Sequence, residues 1–264
     1  MAIARVRPRL GRLGATVLYY PVIGSTNDVA CGLAAGGDRE GVVVLADEQT
    51  AGRGRRGRAW FSPAASGLYV SIVLAPGRAR VDPERATLLL TLAAGVALSE
   101  AVEAVTALRA TIKWPNDLLV GRRKLAGILA EAVTPDGGHG RRELAVVLGY
   151  GINVGPMAYP PEVAERATSL ETELGRPADR AALLAETLAA MARRYDDLLE
   201  GRFDAILDEW RARAPGALGV RVSWTTPAGV QSGVTAGIDD RGALLVRTPD
   251  RTERIVAGEL SWAP

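Results

Sequence analysis

The amino-acid sequence predicts an α+β fold in which a larger domain of strands and helices precedes a small all-β module. Two observations support this prediction. As far as residue 213, short apolar runs typical of strands alternate with longer stretches in which apolar residues recur at helical spacing. After Pro215 and Gly216, short alternating runs separated by turn signals indicate about five strands. The predicted domains are 16–215 and 216–264, after a flexible N-terminus over 1–15.

The elements of the larger domain can be placed from local patterns. Ser25 is the expected N-cap of the first helix and forms a capping box with Asp28. Asp82 and Pro83 open a long helix, as a cap and a first-turn proline. The remaining predicted helices cover 178–200 and 203–213. The predicted strands are apolar and rich in β-branched residues, and they cover 17–23, 42–48, 68–74, 111–114, 118–120, 124–133 and 143–154.

Composition excludes several classes of function. The chain of 264 residues has a formal net charge of +2, which gives little general electrostatic reason to bind nucleic acid. A single cysteine, Cys31, excludes an internal disulfide, and a single histidine, His139, excludes a Cys/His metal cluster. We find no apolar run long enough to span a membrane and no secretory segment, and therefore expect a cytoplasmic protein.

The most informative segment runs from Asp47 to Trp60. We call its second part, residues 52–60, the Gly/Arg loop. Bare glycine backbone lets a ligand approach closely, and guanidinium groups suit phosphate and carboxylate. The flat face of Trp60 offers stacking for a base, so the loop points to a nucleotide. Its glycines and like charges also predict a loop that is disordered without ligand. The loop contains Gly52, Arg53, Gly54, Arg55, Arg56, Gly57 and Arg58.

This loop has two alternative interpretations. Gly52, Gly54 and Gly57 fit the spacing of a dinucleotide-binding fingerprint, but that fingerprint must open a helix, and the residues after Arg58 show no helical periodicity. A solvated run of charge is the other alternative. Further motifs are Lys113-Trp114-Pro115-Asn116-Asp117, then Lys124, and Gly149-Tyr150-Gly151-Ile152-Asn153. Alone, these could be a turn, an edge-strand lysine and a bulge.

Together, these motifs resemble biotin protein ligases in order and spacing. The resemblance rests on Ser25-Thr26-Asn27, Gln49 with the Gly/Arg loop, the Lys113–Asp117 motif, Lys124 to Ile128, and Gly151-Ile152-Asn153, and it covers about residues 16–263. It implies a mixed-sheet catalytic domain and a small SH3-like β-barrel. Some members carry an N-terminal DNA-binding domain. This chain begins almost directly at the catalytic strand, so we expect neither DNA binding nor repressor activity.

The resemblance also implies substrates, partners and residue roles. The substrates would be biotin and ATP, with Mg²⁺, and the partner would be a biotin carboxyl carrier protein or domain. We expect a monomer or homodimer without membrane association. A lipoate- or octanoyl-type acyltransferase and a non-catalytic nucleotide- or RNA-binding module are the alternatives. The implied catalytic residues are Lys124, Arg55 and Asp117, the last also a candidate Mg²⁺ ligand. The implied biotin-binding residues are Ser25, Thr26, Asn27, Gln49, Gly52, Arg53, Lys124, Gly127 and Gly151. The implied nucleotide-binding residues are Arg55, Arg56, Arg58, Trp60, Asn116 and Asn153.

Overall fold

The computed structural model describes residues 7–134, 144–226, 229–258 and 260–262. Its main sheet has seven strands in the order β1-β2-β3-β7-β6-β5-β4. β1 and β2 are parallel and the other pairs are antiparallel, which confirms the mixed sheet. The strands are β1 (Val17–Ile23), β2 (Val43–Gln49), β3 (Gly67–Leu74), β4 (Thr111–Lys113), β5 (Asp117–Val120), β6 (Arg123–Val133) and β7 (Ala145–Asn153). His139 lies outside the described residues.

Helices cover both faces of this sheet. α1 (Thr26–Ala35) packs on one face over a small apolar cluster that includes Val44, Val73 and Val147. The larger core lies on the other face, beneath α2 (Pro83–Thr106), α5 (Arg180–Leu199) and α6 (Phe203–Arg213). Because both faces are covered, all eight residues of β3 are buried. Two short helices, α3 (Pro161–Ala164) and α4 (Leu170–Leu174), were not predicted.

The sequence-based statement about membrane spans needs correction for α2. This helix is long and apolar enough, by length and composition, to cross a membrane. In the fold it is a core helix instead, since two thirds (67%) of its most apolar window is buried inside the protein. Its apolar residues pack against the sheet and α5. The helix is apolar on most of its surface because several of its sides are buried.

The N-terminus differs from the expected flexible segment over residues 7–15. The side chains of Leu10 and Leu13 are each only 1% exposed and belong to the main core. Arg9 forms a two-pronged pair with Glu186 on α5, with both distances at 2.7 Å. The two leucines are spaced so that both enter the core, and this apolar burial holds the segment against the domain.

The first two predicted helix caps have different outcomes. Asp82 caps α2 as expected, since its carboxylate accepts a hydrogen bond from the Arg85 backbone N–H at 3.0 Å. Ser25 occupies the N-cap position of α1, but its hydroxyl makes no capping hydrogen bond, so the capping box is wrong. Its expected partner Asp28 pairs with Arg53 instead. Tertiary contacts from the Gly/Arg loop therefore replace the local cap.

The C-terminal module is a five-stranded antiparallel sheet, as predicted, with the order β11-β10-β9-β8-β12. Its loop at Asp240 and Gly242 docks on the larger domain. The backbone oxygen of Gly242 accepts a hydrogen bond from the Trp114 indole N–H at 3.0 Å, and that of Asp240 accepts one from Arg85 at 2.8 Å. The strands are β8 (Leu218–Thr226), β9 (Gly229–Ile238), β10 (Leu244–Arg247), β11 (Thr252–Ile255) and β12 (Ser261–Trp262).

Candidate functional site

The sheet register builds a floor of small residues on the face that α1 covers. Gly151 on β7 pairs directly with Gly127 on β6 and with Tyr69 on β3, and Gly127 pairs with Asp117 on β5. Residues paired in this way lie side by side across adjacent strands. Two glycines from separate motifs therefore form one bare patch of backbone, with a tyrosine at one side and a carboxylate at the other.

Trp60 lies directly on this glycine floor. A Cβ added to Gly151 would lie 2.3 Å from the indole Nε1, and one added to Gly127 would lie 3.0 Å from the benzene part of the ring. The indole Nε1 is buried and has no hydrogen-bond partner among the described residues. The two glycines therefore make room for Trp60, and their predicted role in binding biotin stays a prediction. Stacking of adenine on Trp60 stays a prediction.

Polar groups at the start of α1 are organised by Gln49 at the end of β2. The Gln49 Oε1 accepts hydrogen bonds from the Thr26 backbone N–H at 2.8 Å and from its hydroxyl at 3.0 Å. The Gln49 Nε2 donates to the Ser62 Oγ at 2.9 Å, and Ser62 donates to the Trp60 backbone oxygen at 3.0 Å. Ser25 and Thr26 are buried beside this chain of bonds. Three of the predicted biotin residues, Ser25, Thr26 and Gln49, thus lie together.

Asn27 points into the sheet, where it fixes α1. Its Oδ1 lies 2.6 Å from the Ser71 hydroxyl, and its Nδ2 donates to Glu131 at 2.7 Å. A Cβ on Gly149 would lie only 1.9 Å from the Asn27 Oδ1, so this glycine makes room for the amide. Sequence reasoning missed Ser71 and Glu131. The available signal was a polar residue inside an apolar run of each strand, Ser71 between Val70 and Ile72 and Glu131 between Ala130 and Ala132, since buried polar groups need partners.

The Gly/Arg loop is folded and closed by backbone hydrogen bonds, which differs from the expected disorder. Trp60 donates to the Gly52 oxygen at 2.8 Å, and Gly54 donates to the Arg58 oxygen at 2.7 Å. Between them, the three-residue 3₁₀ turn Arg55–Gly57 contains two residues with positive φ. A Cβ on Gly52 would lie 2.4 Å from the Trp60 oxygen. The glycines therefore lead into a tight turn and not into an α-helix. This confirms that they are not a dinucleotide-binding fingerprint, which must open a helix.

Arg53 takes a position that its predicted role in holding the biotin ring did not anticipate. Its guanidinium contacts two carboxylates, that of Asp28 on α1 at 2.5 Å and that of Glu131 on β6. The hydrogen bond that it donates to the Asp28 carboxylate raises the pKa of the Arg53 guanidinium. The side chain thus pairs with protein groups, and the predicted role of Arg53 in binding biotin stays a prediction.

Lys124 lies at the edge of the glycine floor. Its Nζ is 2.7 Å from the Asp117 carboxylate and 5.2 Å from the centre of the Trp60 ring. Its backbone is held by the segment 166–168, through bonds of 2.7 Å to the Arg166 oxygen and 3.0 Å from the Thr168 N–H. Lys124 thus lies between a carboxylate and an aromatic face, on backbone that is fixed from both sides.

Asn153 supports this arrangement from within the fold. Its side chain is 4% exposed, and its Nδ2 donates to the Thr168 oxygen at 2.9 Å. The Asn153 amide thus joins the end of β7 to the segment that also holds Lys124. The expected contact between Asn153 and a nucleotide stays a prediction.

The other four predicted nucleotide-binding residues fall into two groups by position. The Arg55 guanidinium donates to the Asn116 Oδ1 at 3.0 Å, and both residues line a cleft of about 440 Å³ next to Trp114, Arg241 and Gly242. This cleft runs between the Lys113–Asp117 motif and the C-terminal module. The side chains of Arg56 and Arg58 lie at the exposed tip of the loop.

The residues of the site do not fit a magnesium ion held by protein groups alone. The Asp117 carboxylate, the predicted ligand, is ion-paired with Lys124 at 2.7 Å, although the angles leave its buried Oδ1 without a hydrogen bond to any described residue. Among the described ranges, no group of three or more Asp, Glu, His or Cys side chains has metal-binding geometry. Burial and the nearby Glu131 carboxylate raise the pKa of the Cys31 thiol, which lowers the fraction of reactive thiolate.

Comparison with known proteins gives a consistent result. Residues 19–153 match the biotin/lipoate A/B protein ligase family, and residues 217–261 match the C-terminal domain of biotin protein ligases. The chain is 38% identical to a biotin–[acetyl-CoA-carboxylase] ligase of Mycobacterium tuberculosis, over 90% of this chain and 85% of the relative. It is 36% identical to the bifunctional ligase/repressor BirA of Bacillus spizizenii, over 94% of this chain and 74% of that protein.

A solved structure shares the same architecture. The biotin protein ligase of Aquifex aeolicus, determined in complex with biotin and ATP, superposes with a TM-score of 0.79 at 28% identity. The match covers 94% of this chain and 99% of that structure. The sequence motifs, the mixed sheet with its C-terminal module and the two family matches agree, and the chain belongs to the biotin/lipoate A/B protein ligase family, among its biotin protein ligases.

Proposed function

We propose that this protein is an ATP-dependent ligase that attaches biotin to a lysine of a biotin carboxyl carrier protein or domain. In the first step, the biotin carboxylate attacks the α-phosphorus of ATP, which gives biotinyl-5′-AMP and pyrophosphate. In the second, the amine of the carrier lysine attacks the acyl carbonyl, and AMP leaves. The relatives named as biotin ligases support this assignment, as does the Aquifex aeolicus structure with biotin and ATP.

One observation of the site carries the proposal. The Lys124 amine lies at the rim of the glycine floor that Trp60 covers, while the buried first turn of α1 lies on the same face of the sheet. A flat, neutral ring can bind beside α1 and Trp60, with its carboxylate tail reaching toward Lys124. This geometry suits a ligand with one polar ring and one acidic end, as biotin has.

The polar end of the biotin site is formed by α1 and β2. The helix N-terminus provides backbone N–H groups, which suit the ureido oxygen, while Thr26 and Gln49 provide hydroxyl and amide groups for the ureido nitrogens. These groups already hydrogen-bond to each other in this structure, so the pocket is preorganised. The backbone of Gly52 and Arg53 completes the wall.

The charged end of the site favours adenylation. The first step brings two anions together, so its transition state is stabilised by cations aimed at the carboxylate and the α-phosphate. Lys124 lies at this end, and Arg55 approaches from the loop through its contact with Asn116. When ATP enters, we expect Lys124 to exchange part of its pairing with Asp117 for the phosphate. Asp117 is then free to orient the incoming carrier amine.

Mg²⁺ is expected to arrive with ATP, because Asp117 is engaged by Lys124 and cannot be counted as a free ligand. No step of the proposed mechanism depends on a metal held by protein side chains. We also propose a cytoplasmic location, because the reaction consumes ATP.

The direct test is incubation of the purified protein with biotin and ATP. We expect pyrophosphate release and protein-bound biotinyl-AMP, followed by labelling of a carrier domain. An acyltransferase of the octanoyl type needs no ATP, so acyl transfer to a carrier without pyrophosphate release would replace our proposal with that alternative. Nucleic-acid binding that falls steeply with salt, without adenylate, would favour the non-catalytic module.

The glycine floor gives a prediction about fit. Gly151→Ala places a Cβ 2.3 Å from the Trp60 Nε1, so the ring must move off the floor. We expect the KM for biotin to rise on the order of ten-fold and the free energy of unfolding to fall by about 1–3 kcal/mol, as for other overpacked sites. The control is Gly32→Ala on α1, where a Cβ meets nothing within 4 Å. An unchanged KM for biotin in Gly151→Ala would contradict the proposed position of the biotin ring beside α1 and Trp60.

A further inference from the structure

Both ends of the Gly/Arg loop are tied to the first turn of α1. At the exit, the Trp60 oxygen is connected to Thr26 through Ser62 and Gln49. At the entrance, the Arg53 guanidinium contacts the Asp28 carboxylate, one turn along the same helix. The exit contacts belong to the ligand-binding groups already described. The entrance contact belongs to side chains that the mechanism does not use.

The entrance contact also reaches a third element. The other arm of the Arg53 guanidinium pairs with Glu131 on β6, whose second oxygen accepts a hydrogen bond from Asn27 at 2.7 Å. A planar guanidinium presents donors in two directions, so one arginine can join two carboxylates on different elements. Loop, helix and sheet are therefore joined at a single charged group.

We infer that Arg53, Asp28 and Glu131 form a latch that holds the Gly/Arg loop closed over the site, with Asp28 and Glu131 as positioning residues. The consequence for retention of the intermediate rests on the proposed function, whereas the closure itself does not. The latch gives a physical reason why a loop with three glycines and four arginines is folded. It supplies two negative charges at the base of a segment that would otherwise repel itself.

The two carboxylates should contribute unequally. If the loop opens, both lose the cation that they share. The Glu131 side chain is 23% exposed and that of Asp28 is 55% exposed, so water compensates Asp28 better. Loss of the Glu131 charge is therefore expected to open the loop more than loss of the Asp28 charge.

Limited proteolysis with trypsin tests the latch in the ligand-free protein. We expect Glu131→Gln to speed cleavage after Arg55 and Arg56 about five-fold, the effect of losing one well-placed ion pair. Asp28→Asn should give a smaller increase. The matched control is Glu186→Gln, which removes a carboxylate paired with Arg9 at 2.7 Å outside the loop and should leave loop cleavage unchanged.

A double-mutant cycle separates the latch from general destabilisation. Arg53→Gln and Glu131→Gln combined should cleave no faster than the faster single variant, because each removes the same interaction. Additive effects, or wild-type cleavage in both Glu131→Gln and Asp28→Asn, would overturn the latch. If Glu131→Gln fails to fold, cleavage of Asp28→Asn alone tests the latch. The Asp28 side chain is more exposed than that of Glu131, so its replacement should disturb folding less.

The second readout concerns the intermediate. In Asp28→Asn, biotinyl-AMP should dissociate about two-fold faster while the rate constant of adenylation stays at the wild-type value, since neither Lys124 nor the hydrogen bond between Asn27 and Glu131 is touched. Slower adenylation with unchanged dissociation would overturn the positioning role. If wild-type protein makes no adenylate, the proposed function fails, and the cleavage assay still decides whether the latch exists.

Discussion

Replacement of Lys124 by alanine is expected to slow biotinyl-AMP formation on the order of 100-fold or more, the typical cost of removing one preorganised charge from a developing anion. The side chain lies at the edge of the glycine floor and is the amine nearest to the bare backbone of Gly127, where a Cβ would lie 3.2 Å from the Nζ. The measurement is single-turnover formation of adenylate with saturating biotin and ATP.

The chain offers a matched control, because Lys113 and Lys124 are the two lysines of the sequence. Lys113 lies on β4, with its Nζ 5.3 Å from the centre of the Trp262 ring, and plays no part in the proposed chemistry. Lys113→Ala removes the same charge and should adenylate at close to the wild-type rate. If Lys124→Ala adenylates as fast as Lys113→Ala, the assignment of Lys124 to the transition state is wrong.

Replacement of Arg55 by glycine should leave synthesis of biotinyl-AMP in place but let the intermediate escape. The Arg55 guanidinium lies on the cleft side of the loop, against the Asn116 amide, where it can face the acyl-phosphate junction. Released adenylate reacts with any exposed amine. A lysine-rich globular protein mixed with the variant, biotin and ATP should therefore be labelled at least ten-fold more than with wild type, an estimate for one charge-assisted contact.

The low lysine content of this protein makes escape of the adenylate easier to detect. With two lysines in its own sequence, the ligase offers few amines that would consume the escaping adenylate. The control variant is Arg78→Gly, which removes a guanidinium paired with Asp38 and Glu40 away from the loop. Equal labelling by Arg55→Gly and Arg78→Gly, while adenylate is still made, would show that other residues retain the intermediate.

Local patterns were sufficient for most elements of the fold. Apolar runs placed β1 (Val17–Ile23) correctly and placed β3 (Gly67–Leu74) to within one residue, and the Asp82-Pro83 pair placed the start of α2. Each of these signals depends on neighbours within a few residues, which is why the sequence contains it. The short helices α3 and α4 were missed because four or five residues carry little periodicity.

The site was predictable as a set of residues and not as an arrangement. The motifs indicated Gly127, Gly151, Lys124 and the Gly/Arg loop. Glycine lacks a Cβ and lysine and arginine carry a charge wherever they lie in a fold, so residue identity alone indicates their chemistry. They could not show that Gly127 and Gly151 are direct neighbours, since that pairing is a matter of strand register between β6 and β7. They also could not show that Trp60 fills the space above the two glycines.

The sequence by itself determined the element types, the family resemblance and the chemistry available, all of which follow from residue identity and short spacing. Only the tertiary structure decided the partners of the charged and polar side chains. Arg53 pairs with Asp28 and Glu131, and Asn153 donates to the segment that holds Lys124, which the motifs alone did not indicate. The physical reason is that a long side chain can reach several groups, and which groups lie within reach depends on elements that are distant in the chain.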